Sequence, residues 1–376
     1  MALLLLSVAG IYTTWYLLYF NGTASFLHEI RDAAGNAMLP TKDAPLRQVF
    51  TGHRAIDYQL TVLTLFFWQL VDGSSPHASL HAFHFAGQIV AGWGLLMMEG
   101  MRAGNRWRVV SFIVLWGIAF QNATFAVIMP IWMALHLATS PTVSPTNANI
   151  AIAPAELVYL GTSVTLGFIV PSLFVALPAP TILSYEAKQA AIAFWQGFPL
   201  WTGGIQLLLS TVFGSVLSPK APGESEHNHQ KAVSNAAYSY LLTVAGVTHI
   251  CTSALVLSST YFPSVYSSHS QGMFDIAKVF APFGYSPSAK ASSLADGTFQ
   301  LIQYDEIVGS AATLLWAVAL YLQAYGRSDG LTNRVGLVFR VLIGMATTGP
   351  LGCAVLLMWS RDDLVHGRNS KTKKSI

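Results

Sequence analysis

The chain has 376 residues, of which 53% are hydrophobic and only 10% are charged. Soluble proteins carry roughly 25% charged residues, so the 20 basic and 17 acidic side chains here are too few to cover two soluble domains. The net charge of +3 forms no basic stripe, which argues against a nucleic-acid partner. Cys251 and Cys353 lie in apolar runs, which excludes a disulfide framework and a cysteine-based zinc cluster. The composition predicts an all-α protein, a polytopic bundle of transmembrane helices.

Crossing the bilayer core takes about 20 mostly apolar residues per helix. Stretches of this kind predict eight or nine spans, which together form a single domain of residues 1–360. The predicted spans are 1–20, 54–72, 77–98, 109–137, 156–178, 190–217, 236–260, 304–325 and 335–359. The first stretch has no basic leader and no small-residue cleavage site, so we interpret it as a retained helix rather than a signal peptide.

The distribution of Lys and Arg predicts the orientation of the bundle. A lumenal N-terminus places 15 of the 20 basic residues on the cytosolic side, as the positive-inside rule favours. Residues 361–376 then form a basic cytosolic tail. The tail ends in Lys373-Lys374-Ser375-Ile376, which resembles a dilysine retrieval signal, and we expect coat-protein recognition and an endoplasmic-reticulum location. The alternative is a chance basic tail beside the last helix.

A few carboxyls lie inside or at the ends of predicted spans. Because an ionisable residue within a span costs ~2.5–3.5 kcal/mol on insertion scales, each one is a candidate functional residue. Asp57, Glu99, Asp305 and Glu306 lie at the cytosolic ends of the second, third and eighth spans. Asp305 and Glu306 follow Tyr304 and open an aromatic helix, so we expect at least one to point inward and act as a Brønsted acid. The alternative is a solvated helix cap.

The start of the second span combines several polar groups. His53 and Asp57 are four residues apart and share a helix face, so each can tune the protonation of the other. The alternative is a helix-end salt bridge between Arg54 and Asp57. Asp72 and Glu156 lie at lumenal helix ends, where we interpret them as interfacial carboxylates.

Aromatic residues make up 12% of the chain, and several tryptophans lie within predicted spans rather than at their edges. Aromatic faces stabilise cations in dry surroundings, so a cavity that they line would suit carbocation chemistry. The alternative is ordinary packing. The candidate substrate-binding residues are His53, Arg54, Tyr58, Trp68, Trp93, Asn122, Tyr304 and Trp316.

Sequence motifs for metal or nucleotide chemistry are absent. The only Asp pair, Asp362-Asp363, falls in the tail, so there is no aspartate-rich motif for magnesium and a diphosphate. His77, His81 and His84 lie near one helix face, but their neighbours in the sequence include no carboxylate that would complete a metal site. We therefore expect neither a metal nor a cofactor.

Several short segments together resemble the integral-membrane terpene cyclases of fungal meroterpenoid pathways, of the larger type associated with ascochlorin-, ascofuranone- and macrophorin-like products. The resemblance is one of pattern along most of the chain. The segments that carry it are Thr51-Gly52-His53-Arg54-Ala55-Ile56-Asp57-Tyr58, Val71-Asp72-Gly73, residues 99–105 (EGMRAGN), Tyr304-Asp305 with Trp316, and Trp359-Ser360-Arg361-Asp362.

This resemblance implies a class II cyclisation that does not ionise a diphosphate. The substrate would be a lipophilic farnesylated aromatic compound, already epoxidised, that enters from the membrane lipid. We predict Asp305 as the principal acid, and since the four carboxyls share the cytosolic side we expect one cavity to hold them. The predicted partners of Asp305 are Glu306, Asp57 and Glu99, with His53 and Arg54 orienting them.

A proton-coupled transporter of small molecules is the competing interpretation, because its spans would be equally apolar and its acids would serve as proton relays. The lack of internal repeats and the retrieval-like tail favour the enzyme.

Overall fold

Every regular element in the described part of the chain is helical, as the composition predicts. In this computed structural model the described residues are 1–33, 36–214, 225–268, 270–325 and 331–372. Among them, extended pairing is limited to an isolated bridge between Met38 and Pro45. The dilysine-like residues 373–376 lie outside the described residues.

The helices differ widely in length. The first six are α1 (Ala2–Phe20), α2 (Thr23–Arg31), α3 (Arg54–Val71), α4 (Pro76–Met101), α5 (Ile113–Ala123) and α6 (Phe125–Thr139). They are followed by α7 (Asn147–Ile150), α8 (Pro154–Leu157), α9 (Leu160–Ala176), α10 (Tyr185–Trp195) and α11 (Phe198–Phe213). The last four are α12 (Glu226–Tyr261), α13 (Ile276–Phe280), α14 (Leu294–Tyr325) and α15 (Leu331–Thr372).

Within the described residues, four helices are long and apolar enough to cross a membrane, or up to five if a bent pair counts as one span. They are α1, Asn228–Tyr261 of α12, α14 and Val335–Gly367 of α15, and the bent pair joins Asn147–Leu157 to α9. The prediction of eight or nine spans is therefore too high, although a helical membrane protein is supported.

Two causes account for the difference. The predicted spans 109–137 and 190–217 are each interrupted, the first at Thr124 and the second between α10 and α11. The stretches 54–72 and 77–98 do form the long helices α3 and α4, but these carry glutamine, histidine and carboxylate side chains that make them less apolar than a typical span.

The helix α14 lies at the centre of the bundle, where it packs against α1, α3, α6 and α15, while α4 packs against α12 and α15. The close approach of α14 and α6 depends on Gly309, because a Cβ at that position would lie 2.0 Å from the Phe125 ring. The bundle therefore fixes the start of α6 directly against the middle of α14.

A break at Gly349 divides α15, and its φ of +75° is one that glycine adopts without strain. The buried Gln88 side chain satisfies the backbone there. Its Nε2 donates to the Thr348 carbonyl at 3.1 Å, and its Oε1 accepts from the Leu351 N–H at 3.0 Å. The chain does not become a solvated tail at residue 361, since α15 continues to Thr372 with Arg361 fully buried.

The segment between α12 and α14 contacts the end of α1 and the first half of α14. Lys290 Nζ donates to the Phe20 carbonyl at 2.7 Å, and the Ala291 N–H donates to the Asn21 carbonyl at 3.0 Å. Gln303 Nε2 donates to the Val279 carbonyl at 3.0 Å. These contacts tie the segment to the part of α14 that precedes Asp305.

Candidate active site

A cavity of about 690 Å³ opens between α1, α3, α4, α5, α9 and α14. Its volume is within the range of cavities that hold small-molecule ligands. Its walls are mostly apolar, and the aromatic side chains facing it include Phe66, Phe85, Phe120, Phe125, Phe198 and Trp195. The cavity can therefore hold a lipophilic molecule of moderate size.

Asp305 lies on the wall of this cavity and is 7% exposed. Its Oδ1 accepts a hydrogen bond from the backbone N–H of Ala126 at 2.6 Å. The backbone N–H of Phe125 and the hydroxyl of Thr124 also interact with the carboxyl. The helix break at Thr124, where φ is +75°, makes this possible because it leaves the first N–H groups of α6 free of helical partners.

Two opposing influences act on the Asp305 carboxyl. Apolar surroundings favour the neutral acid over the carboxylate, whereas the N-terminus of α6 favours a negative charge. A carboxyl in this position can exist as the neutral acid facing the cavity, and its carboxylate form would be stabilised by the same N–H groups.

The aromatic rings around the cavity form one connected cluster. Phe120 lies 5.8 Å from Phe125 and 5.6 Å from Phe198, measured between ring centroids. Phe198 in turn lies 4.7 Å from Phe168 and 5.9 Å from Trp195. Most of these contacts are tilted or edge-to-face, so several ring faces can be presented to one molecule in the cavity.

Glu306 points away from the cavity and into a chain of histidines. Its Oε1 lies 2.8 Å from His84 Nδ1, and its Oε2 lies 3.2 Å from His81 Nε2. His84 Nε2 lies 3.0 Å from His249 Nδ1, and His249 Nε2 lies 3.2 Å from the Ala346 carbonyl. Among the described residues, no group of three or more His, Cys, Asp and Glu side chains is arranged to hold a metal ion.

The Ala346 carbonyl can only accept, so His249 donates to it from Nε2, and the Nδ1 of a neutral His249 ring accepts from His84 Nε2. The imidazoles of His81 and His84 both lie within 3.2 Å of the Glu306 carboxyl. A proton held in this cluster can therefore reside on Glu306 or on a neighbouring imidazole.

Glu99 belongs to a separate and fully buried network. Its Oε1 accepts from Arg102 Nε at 2.5 Å and from Arg361 Nη1 at 2.9 Å. Its Oε2 lies 3.2 Å from His136 Nε2. Arg102 Nη2 donates to Asp362 Oδ2 at 2.8 Å. The network thus joins two segments that carried the family resemblance, residues 99–105 and 359–362.

Asp57 is used by the backbone at the start of α3. Its Oδ1 accepts from the N–H groups of Phe50 at 3.1 Å and Thr51 at 2.7 Å, and its Oδ2 accepts from the Gly52 N–H at 3.0 Å. The expectation that one cavity holds all four carboxyls is therefore corrected. Asp305 lines the aromatic cavity, Asp57 lines a second cavity, and Glu99 and Glu306 line neither.

The predicted substrate-binding residues are also distributed between the aromatic cavity, the second cavity and positions outside both. Tyr58 and Asn122 line the aromatic cavity. Arg54 lines the second cavity and His53 is exposed. Tyr304 donates from its hydroxyl to the Gly284 carbonyl at 2.9 Å.

The three predicted tryptophans pack elsewhere. Trp93 donates to Thr202 Oγ1 at 3.0 Å, and Trp316 donates to His136 Nδ1 at 3.2 Å. Trp68 is fully buried beside Tyr185.

The sequence interpretation missed most of the cavity wall. The phenylalanines near the α5–α6 break and the N–H donors of that break were not predicted, because residues 109–137 looked like one continuous span. The polar cluster of Gln121, Asn122 and Thr124 within that apolar stretch was the available signal.

A carboxyl on the wall of an aromatic cavity, within a bundle of apolar helices, defines a candidate membrane enzyme that works by acid chemistry. The CtvD domain family model matches residues 1–366. The chain belongs to this family, and the resemblance to fungal meroterpenoid terpene cyclases is confirmed.

Curated relatives match nearly the whole chain. The terpene cyclase ascI of Acremonium egyptiacum is 30% identical, with 95% of this chain and 90% of that protein covered. The terpene cyclase ctvD of Aspergillus terreus is 29% identical (95% and 97% covered), and janA of Penicillium janthinellum is 27% identical (96% and 93%). No solved structure matches. The chain is an enzyme of the terpene cyclase type.

Proposed function

We propose that this enzyme cyclises an epoxidised farnesyl chain attached to an aromatic ring, and that Asp305 starts the reaction by protonating the epoxide. The observation that carries the proposal is the position of Asp305, whose carboxyl faces an apolar cavity rimmed by aromatic rings and is anchored by the α6 N-terminus.

The proposed steps conserve atoms and charge. The Asp305 proton moves to the epoxide oxygen, the bond from that oxygen to the more substituted carbon breaks, and the oxygen becomes a hydroxyl. Neighbouring double bonds or a hydroxyl of the substrate then attack the cation, and loss of one proton gives a product isomeric with the substrate. The reaction consumes no cofactor, because the proton given at the start is returned at the end.

The aromatic cluster supports the middle of this sequence. A tertiary cation is attracted to ring faces by about 0.5–2 kcal/mol per well-placed ring in dry surroundings. Phe125 lies beside Asp305, Phe120 contacts Phe125, and Phe198 contacts Phe120 on the cavity wall. They are suited to stabilise positive charge as it moves away from the opened epoxide.

Glu306 is suited to a supporting role. It is the next residue to Asp305, and it contacts His84, whose other ring nitrogen lies 3.0 Å from the half-buried His249. We propose that it helps to restore the proton on Asp305 after turnover. Glu99 is bound by Arg102 and Arg361, and Asp57 is bound by loop N–H groups. Both carboxylates are therefore suited to positioning roles.

The test is Asp305→Asn, assayed in microsomes that contain this enzyme and an epoxyfarnesyl phenol. We expect cyclisation to fall at least 100-fold, with the variant still present in the membrane fraction. The control is Asp296→Asn, which alters a carboxyl on the same helix that hydrogen-bonds Ser292 and lies outside the cavity. Near-normal turnover by Asp305→Asn would remove Asp305 from the chemistry.

We also propose that the enzyme resides in the endoplasmic reticulum with its C-terminus in the cytosol. The basic residues concentrated near the C-terminus and on the predicted cytosolic loops support this orientation. Replacing Lys373 and Lys374 by Ala should release a tagged protein to later compartments through loss of coat-protein recognition, and unchanged location would argue against a retrieval signal.

A further inference from the structure

A second cavity, open to the surface, adjoins the aromatic one, and we call it the polar cavity because most of its lining residues are polar. It has a volume of about 410 Å³, and its walls include Arg31, Asp32, Arg54 and Asp57. Arg31 and Tyr58 line both cavities. These two residues therefore form the wall between an apolar space and a polar one.

The side chain of Arg31 is held in place over the Tyr58 ring, with its guanidinium carbon 4.3 Å from the ring centroid. Its Nε donates to Asp32 Oδ1 at 2.7 Å, and its Nη2 lies 3.0 Å from His28 Nδ1. Its hydrogen bonds to the Asp32 carboxylate raise the pKa of Arg31 above its ordinary value, so the guanidinium stays charged. Among the described residues no carboxylate or carbonyl accepts a hydrogen bond from Nη1, and the Tyr58 side chain also interacts with the guanidinium.

Arg31 is also well shielded, since its side chain is only 12% exposed. It lies at the end of α2, and Gln48 Nε2 donates to its carbonyl at 2.8 Å, which fixes the backbone. A shielded guanidinium whose Nη1 is not used by a carboxylate or a carbonyl is an oriented donor rather than a solvated surface charge.

The formal charges around the polar cavity cancel. Arg31 and Arg54 contribute two positive charges, and Asp32 and Asp57 contribute two negative ones. A diphosphate or a carboxylate would bring uncompensated negative charge into this space. A neutral ring that carries oxygen atoms would not, and it could accept from Arg31 Nη1.

We propose that the polar cavity binds the oxygenated aromatic head group of the substrate, with Arg31 Nη1 donating to a ring oxygen and the Tyr58 ring guiding the prenyl chain into the aromatic cavity. This assignment rests on the proposed cyclase function. It gives the substrate one direction, with its head at Arg31 and its epoxide toward Asp305.

The spacing along α3 agrees with this direction. Phe66, which lines the aromatic cavity, lies eight residues after Tyr58, or about 12 Å further along the helix. An extended farnesyl chain is long enough to cover that distance. The head and the reactive end can therefore occupy the two cavities at once.

The experiment compares two synthetic substrates that differ only in the ring oxygen of the head group, an epoxyfarnesyl phenol and an epoxyfarnesyl benzene. For Arg31→Gln we expect kcat/KM to fall about fivefold to tenfold on the phenol, as loss of one such hydrogen bond implies. The same variant should cyclise the benzene analogue as well as the unaltered enzyme does.

The matched control is Arg47→Gln. Arg47 also lies over a ring, 5.2 Å from the centroid of Phe50, and also pairs with a carboxylate, Glu186, at 3.4 Å, but it lines neither cavity. The Arg47→Gln variant should leave kcat/KM unchanged on both substrates. Arg31→Lys keeps the charge but not the planar fork, and should behave like Arg31→Gln.

Equal losses on both substrates for Arg31→Gln would overturn the proposal, since they would indicate a structural role. An unchanged rate on the phenol would overturn it as well. If the unaltered enzyme cyclises neither substrate, the proposed function itself fails, and that result is separate from any effect of Arg31.

Discussion

Phe120 is the residue whose replacement best isolates cation stabilisation from simple packing. It lines the cavity and contacts Trp93, Phe125 and Phe198. Phe120→Leu keeps an apolar side chain but removes the ring face, so we expect turnover to fall about twofold to 30-fold if the cation passes this ring. The measurement is the rate of isomer formation together with the ratio of cyclised products.

The control for this change is Phe194→Leu. Phe194 stacks on Trp201 at 4.8 Å, is 54% exposed and lies outside the cavity. It should change neither rate nor product ratio. A Phe120→Leu enzyme with both values intact would show that the cation is not stabilised at this ring.

At the residue scale, the sequence predicted the carboxyl that lines the cavity but not the aromatic residues that line it. Asp305 stood out because an acid in an apolar helix is costly, and it is the predicted catalytic carboxyl that reaches the aromatic cavity. Trp68, Trp93 and Trp316 are all in the packed interior instead. A tryptophan in an apolar stretch has the same pattern whether it faces a cavity or another helix, so only the three-dimensional contacts separate the two cases.

The contact between α6 and α14 sets the geometry of Asp305, and Gly309 is the position that tests it. A methyl group there would overlap the Phe125 ring, which must shift and carry the neighbouring N–H donors with it. We expect Gly309→Ala to lower turnover at least tenfold while the protein still accumulates in the membrane. The assay is cyclisation per mole of enzyme in microsomes.

Gly204→Ala provides the comparison, because a Cβ at residue 204 would meet nothing within 4 Å. It lies on α11 and should leave activity unchanged. Equal activity of the two variants would mean that Asp305 tolerates movement of α6.

At the scale of elements, helix positions were predictable and helix breaks were not. The predicted spans 54–72 and 77–98 agree with α3 and α4 to within about three residues at each end. The break at Thr124 was missed because no Gly or Pro marks it, while Pro130 a little later is accommodated inside α6. Tertiary contacts, including the Asp305 hydrogen bonds, hold that break, and the polar residues beside it indicate a special position without specifying a helix end.

The buried charge network ties together parts of the molecule that are 260 residues apart in the chain. Glu99, Arg102, Arg361 and Asp362 are all less than 10% exposed. Both ends of this network were noticed in the sequence as separate motifs, but nothing in either predicted that they pair. Their pairing fixes the last half of α15 against the end of α4, which positions the bundle around α14.

Removing one partner of such a network leaves a buried charge without full compensation, which typically costs about 3–5 kcal/mol. We therefore expect Arg361→Met to lower the thermal unfolding temperature of the detergent-solubilised protein markedly. The control is Lys231→Met, which removes an exposed pair with Asp363, joined at 3.0 Å, and should change stability by less than about 1 kcal/mol. An unchanged unfolding temperature for Arg361→Met would show that the network does not hold the bundle together.

Glu99→Gln should also destabilise the fold, and turnover per folded molecule then decides whether Glu99 has a chemical role. Normal turnover per folded molecule would make Glu99 a purely structural residue.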